Sequence, residues 1–182
     1  MQVIPTGFKD LFILEPKVLG DTRGYFMESY NRKALYDAGI DIPFVQDNQS
    51  SSRRGVLRGL HFQNAPHAQT KLVRVLSGSI LDVAVDIRND EPTFGKYFSL
   101  ELSSENKKQL LIPKGFAHGF IVLSEQAEVF YKCDEFYAPK ADGGIIYDDP
   151  ELNINWRLKP EEIILSDKDK KHPQLAQANF IF

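Results

Sequence analysis

The segment Arg54–Gln63, RGVLRGLHFQ, sets one histidine, His61, among apolar residues and beside the fixed positive charges of Arg54 and Arg58. A second histidine, His118, is flanked in the same way by glycine and phenylalanine in GFAHGF. Side chains in such company face an interior or a cavity. The chemistry they offer there is proton transfer or metal ligation, since imidazole is the side chain that ordinarily titrates near neutrality and is also a common metal ligand. The plainer reading of either histidine alone is a hydrogen-bonded core residue, and it carries about even weight. Arg58 precedes His61 by three positions, which puts the two on opposite faces of a strand unless a bulge intervenes. Lys71 opens the following apolar run, KLVRV.

The elements that must hold these residues read as strands. DLFILEP, YFMESY, KLVRVLSGSILDVAVDIR, YFSLELS, KQLLIP, GFIVLS and EVFYKC are short runs, apolar throughout or alternating, separated by Gly, Pro, Asn, Asp and Ser. They recur without a repeated strand–helix unit, which predicts an all-β sandwich or barrel. Ser77 and Gly78 predict a tight turn joining two paired strands. The one predicted helix is Arg32–Gly39, RKALYDAG, ended by a glycine at its C-terminal cap. No linker, repeat or low-complexity stretch divides the chain, so residues 1–182 are expected to form one domain. The tail KDKKHPQLAQ reads as irregular as far as NFIF.

Composition excludes several functions. At 182 residues with a single cysteine, Cys133, the chain builds its core without a disulfide framework, in keeping with a reducing, cytoplasmic setting. A formal net charge of -3 with interspersed signs gives no general affinity for nucleic acid or anionic membranes. No signal pattern opens the chain and no apolar run is long enough to span a bilayer.

A metal site deserves weighing, because PKGFAHGF has the proline, glycine and histidine spacing of the last ligand in cupin metal sites. His61, His67 and His118 are the available imidazoles. Gln63 stands where a second, nearby histidine would be needed, and the adjacent lysine and arginine repel a cation. A metal-dependent cupin enzyme is therefore the lesser alternative, and no metal or other cofactor is expected.

Taken in order, DTRGYFMESY, FVQDNQS, RGVLRGLHFQ, QTKLVRVLSGSILDVAVDIR, PTFGKY, LLIPKGFAHGF, EVFYKCDEFYAP and LSDKDK resemble the dTDP-4-dehydrorhamnose 3,5-epimerase family over about Phe12 to Lys170. The resemblance implies a cupin-like jelly roll, a double-stranded β-helix with a few short helices. It implies a dTDP-sugar substrate, and a homodimer whose N-terminal strands are exchanged. It also implies inversion of carbons 3 and 5 of dTDP-4-keto-6-deoxyglucose, on the way to dTDP-L-rhamnose. Hydrogens beside a carbonyl are acidic because the oxygen can hold the resulting charge as an enolate. The reaction therefore needs a base on one face, an acid on the other and a cation at the oxygen. By resemblance His61 is the base, Asp169 orients it, Lys71 holds the enolate oxygen and Tyr131 is the opposing acid.

The same resemblance assigns the substrate's other end. Arg58 and Lys168 meet pyrophosphate or sugar oxygens, His118 hydrogen-bonds nearby, and Tyr137 stacks on thymine, while Gln46, Asp47 and Asn48 line the nucleotide region. Arg23 and Glu28 come from the neighbouring subunit. Two positions depart from the family pattern: Tyr147 stands where a tryptophan is common, and Asp142 where a glutamate is. The alternatives of other kinds are a single-centre epimerase of a deoxysugar pathway and a binding module without catalysis, and the latter has no use for His61, Lys71, Tyr131 and Asp169 together.

Overall fold

The computed structural model describes residues 1–182. Its strands are β1 (Gln2–Pro5), β2 (Phe12–Glu15), β3 (Val18–Asp21), β4 (Gly24–Met27), β5 (Gln46–Arg53), β6 (Leu57–Gln63), β7 (Lys71–Ser77), β8 (Ser79–Asp86), β9 (Tyr97–Ser103), β10 (Gln109–Ile112), β11 (Phe116–Val122), β12 (Gln126–Cys133) and β13 (Asp142–Gly144). One helix, α1 (Arg32–Asp37), lies between β4 and β5. Two antiparallel sheets face each other as a cupin-like jelly roll, one in the order β1-β2-β10-β7-β12-β5 and one in the order β13-β6-β11-β8-β9. A separate ribbon pairs β3 with β4.

Strand β8 shows how the sequence builds these layers. Ile80 and Ala84 join the core between the sheets, with Val73, Val75, Phe116, Phe120 and Val129. Leu81, Val83 and Val85 point the other way, into a second core closed by Leu152, Trp156 and Leu175 of the C-terminal segment. Covered on both faces, the strand reads as an almost unbroken apolar run. Truncating the fully buried Leu81 to alanine carries a cost of about 2–5 kcal/mol. Helix α1 covers the outer face of the six-stranded sheet, where Leu35 packs with Leu14, Leu72 and Leu111. It starts at an Asn31 cap that accepts the Ala34 N–H and stops at Asp37, before Gly39 at φ +86°.

The turn at Ser77 and Gly78 differs from expectation. β7 and β8 are not paired; they belong to different sheets, and Gly78 carries the chain across the corner between them. Its φ is +76°, and a Cβ there would lie 2.1 Å from the Gln126 carbonyl oxygen, so both conformation and close approach require glycine. A serine–glycine pair marks a tight turn equally in a hairpin and at a jelly-roll corner, and here the corner is what forms.

At one end of the barrel the inward positions change from apolar to polar. Along β7 they run Val75, Val73, Lys71 and along β12, Val129, Tyr131, Cys133, while on β11 His118 interrupts the core residues Phe116 and Phe120. The core therefore gives way to a cavity without any break in the strands.

Candidate active site

The cavity has two connected lobes of about 420 and 470 Å³ that share His61, Lys71, Tyr131 and Lys168. His61 comes from β6 in the five-stranded sheet, whereas Lys71 and Tyr131 come from β7 and β12 in the six-stranded sheet. The histidine therefore faces the lysine and the tyrosine from the opposite wall.

Strand β6 reaches this geometry through a bulge. His61 is opposite His118 and Arg58 is opposite Phe120, so three steps on β6 match two on β11. The extra residue brings Arg58 and His61 to the same lobe, as the two-residue alternation of a regular strand would not. Arg58 donates from Nε and Nη2 to Ser52 Oγ, each at 3.1 Å, and leaves its charge without a carboxylate partner.

His61 Nε2 lies 2.7 Å from Asp169 Oδ1. Asp169 is buried at the start of a short 3-10 turn, Asp169–Lys171, and its backbone N–H donates to Ser166 Oγ. Burial by itself would raise the Asp169 carboxyl, but hydrogen bonding and charge from His61, with the Gly59 N–H and Ser166, hold it below the usual carboxylate range. Lys71 has the reverse problem. Burial pushes its ammonium below the usual lysine range, only partly offset by Cys133, Asp82 and Asp142, so its charged form gains from a negative oxygen placed beside it. Burial also raises the Tyr131 hydroxyl and keeps its proton in place at neutral pH. Cys133, beneath Lys71, is pushed up to about 11 by burial and stays a thiol.

The outer lobe is lined by Gln46, Asn48, Gln63, Gln69, Tyr137 and Asp142. Tyr137 is exposed and donates from its hydroxyl to Asp142 Oδ2 at 3.1 Å, which raises its pKa through the carboxylate's charge. Lys168 is ion-paired with the same Asp142 oxygen, and that bond raises the Lys168 ammonium. A flat ring at the mouth, amide groups on the wall, Lys168 shared by both lobes and Arg58 in the adjoining one make a cavity suited to a base, a ribose and phosphates.

Three expected residues stand elsewhere. Asp47 does not line the cavity: β5 alternates, so Gln46 and Asn48 point in while Asp47 points out and accepts from Lys132 Nζ at 2.8 Å. The expectation treated QDN as a block and missed this alternation. Arg23 and Glu28 are exposed at the β3–β4 ribbon, away from this chain's cavity; Arg23 pairs with Asp21 and Glu28 accepts from Asn31. The set His61, His67, His118 is not assembled as a ligand cluster, because His67 is exposed in the loop before β7. Tyr147 lies outside the cavity, packed behind the five-stranded sheet, where its carbonyl accepts from Trp156 Nε1 at 2.8 Å.

Two residues near the site went unread in the sequence. Asp82 is fully buried and lies 2.7 Å from His118 Nε2. A carboxylate at an inward position of an otherwise apolar strand was the available signal. His172 packs edge to face on His61 with ring centroids 5.6 Å apart. It sits in a polar tail with no periodicity, and nothing in the sequence marks it.

A family model described as dTDP-4-dehydrorhamnose 3,5-epimerase matches residues 5–177. A relative from Shigella flexneri bearing that description is 51% identical over 181 residues, covering 99% of both chains. The Legionella pneumophila dTDP-6-deoxy-D-glucose-3,5-epimerase, solved with dTDP-4-keto-L-rhamnose, is 50% identical with a TM-score of 0.92, over 97% of this chain and 93% of that one. The Bacillus anthracis epimerase, solved with TDP and PPi bound, is also 50% identical with a TM-score of 0.92, over 95% and 98%. Near-complete coverage, the shared barrel and a polar cavity at its open end lead to one conclusion: the chain belongs to the dTDP-4-dehydrorhamnose 3,5-epimerase family.

Proposed function

We propose that the cavity inverts carbons 3 and 5 of dTDP-4-keto-6-deoxyglucose by stepwise proton transfer, with His61 as base and Tyr131 as acid. The observation that carries this reading is their placement on opposite sheets, with Lys71 on the strand next to that of Tyr131 and lining the same cavity. Inversion demands removal of a proton from one face of the carbon and delivery to the other. At each centre the C–H electrons move into the enolate, whose oxygen gains charge beside Lys71. Tyr131 then returns a proton to the opposite face while His61 holds the one removed, and exchange with solvent re-protonates Tyr131 and frees His61 before the second centre reacts. Asp169 orients the imidazole and stabilises its charged form, as carboxylates do in other acid–base pairs. The hydrogens leave and return as protons and no electrons are transferred, so the scheme uses no redox cofactor.

In the same reading the nucleoside occupies the outer lobe, with thymine on Tyr137 and ribose beside Gln46, Asn48 and Asp142, and the pyrophosphate passes to Arg58 and Lys168 in the adjoining lobe. His118, held by Asp82, donates toward the sugar. The working form is a cytoplasmic homodimer. The β3–β4 ribbon exposes Val18, Leu19, Tyr25 and Phe26, an apolar surface suited to burial against a second copy, where Arg23 and Glu28 would reach the partner's cavity. No helix is long and apolar enough to cross a membrane.

The test is incubation with dTDP-4-keto-6-deoxyglucose in deuterated water followed by NMR of the sugar. Deuterium at both carbons, in a product that a rhamnose-forming reductase accepts, is expected. Label at one carbon would make the protein a single-centre epimerase, and no label would refute the proton-transfer reading. Light scattering checks the dimer.

A further inference from the structure

Behind the base lies a group that the epimerisation does not use. His172 has a side chain only 10% exposed, and its Nε2 is buried with no hydrogen-bond partner. That nitrogen is 3.6 Å from Asp169 Oδ1, the same oxygen that lies 2.7 Å from His61 Nε2. The two imidazole nitrogens and the carboxylate oxygen all fall within 4.8 Å of one another. The ring is seated against β13: a Cβ on Gly144 would lie 2.5 Å from His172 Cε1 and Nε2, so glycine leaves the space the ring occupies. Burial, the neighbouring His61 and Lys168 lower the pKa of His172, while Asp169 and Asp142 oppose them.

Two imidazoles and one carboxylate are a donor set for a borderline-soft divalent cation, zinc above all; the charge of Lys168, which acts on His172 against a cation, is already paired with Asp142. We propose that His61, Asp169 and His172 form an inhibitory zinc site superimposed on the catalytic base. Zinc replaces the proton shared by His61 and Asp169. The His61–Asp169 pair then opens from 2.7 Å and the His172–Asp169 pair closes from 3.6 Å toward roughly 3.3 Å, the separation set by a tetrahedron with bonds of about 2.05 Å, and the cavity side supplies water as the fourth ligand. Metal at this position takes the carboxylate from His61 and puts positive charge beside the ring that must accept a proton. It therefore stops epimerisation instead of assisting it. The inference rests on His61 being the base.

The experiment uses the whole protein after treatment with EDTA, then zinc added in graded amounts. The chelated enzyme is expected to be fully active, and zinc to inhibit it reversibly. His172→Phe and His172→Gln keep the shape of the site. They are expected to retain the chelated enzyme's activity while needing roughly 100-fold more zinc for the same inhibition, the upper end of what even an outer-shell partner contributes to affinity. Cobalt added in place of zinc gives an independent readout, an intense tetrahedral visible spectrum in the wild type that is lost in both variants. Equal zinc inhibition of wild type and variants, or no binding of either metal, overturns the zinc site alone. Binding at His172 without inhibition overturns the assignment of His61 as base, and the inhibitory site with it.

Discussion

Replacing Asp169 by asparagine keeps the shape of the side chain and changes two things at the 2.7 Å contact with His61. The imidazolium formed when His61 takes a sugar proton loses a buried negative partner that is only 5% exposed. A hydrogen bond to a charged group contributes about 1.5–3 kcal/mol net, equivalent to roughly 10–150-fold in rate. The asparagine NH₂ can also face His61 Nε2 as a donor, which forces the other ring nitrogen to carry the proton. The same exchange in a serine-protease triad lowers kcat by about 10⁴. Asp169→Asn is therefore expected to lower kcat by about 10²–10⁴ while KM changes by less than about threefold, because Asp169 lies beneath His61 and not against the nucleotide. A coupled assay with a rhamnose-forming reductase gives both constants, and deuterium uptake in the variant gives the exchange rate directly. A kcat within about tenfold of wild type would show that Asp169 does not support the base, and the catalytic pair would have to be abandoned.

Tyr131→Phe is expected to keep proton removal and lose inversion, so the variant should wash deuterium into the substrate with retained configuration; undiminished epimerised product would remove Tyr131 from the acid role. Asp86, far from the reaction, is fully buried, with Arg88 Nη2 at 2.6 Å, Arg88 Nε at 2.8 Å and Thr93 Oγ1 at 2.6 Å. Burial opposes its ionisation, but these donors leave its pKa below the usual value. Because the folded value is the lower one, its contribution is full above the unfolded carboxyl's pKa of about 3.9 and is lost as pH falls through the folded value. Asp86→Asn should cost about 3–5 kcal/mol at pH 7, from breaking a buried pair, with the gap closing in acid; denaturant melts at pH 7 and below pH 3 check both, and a gap that does not change with pH would contradict the assignment.

The strands of the two cores were legible because each buries at least one face, and β8, covered on both, is buried at every residue after its first. Strand β5, QDNQSSSR, carries no such signal: its inner face lines a cavity and its outer face bears Asp47 and other polar groups. For the same reason its alternation, and with it the outward direction of Asp47, was hidden. The bulge between Arg58 and His61 had a sequence correlate in Gly59, yet which face each side chain takes depends on the register with β11, a contact made from more than fifty residues away. His172 and Asp169 come from a segment without period, held against β6 and β13 by tertiary packing. The four residues proposed for proton transfer and enolate binding were found through their resemblance to a family; their opposition across the two sheets is a property of the topology.

The measurement that bears most directly on the mechanism is deuterium exchange by His61→Asn beside the wild type, under single-turnover conditions with dTDP-4-keto-6-deoxyglucose. The account predicts label at carbons 3 and 5 with the wild type, label at neither with the variant, and dTDP binding retained by both. Label at either carbon at the wild-type rate in the variant would mean that another group removes the proton.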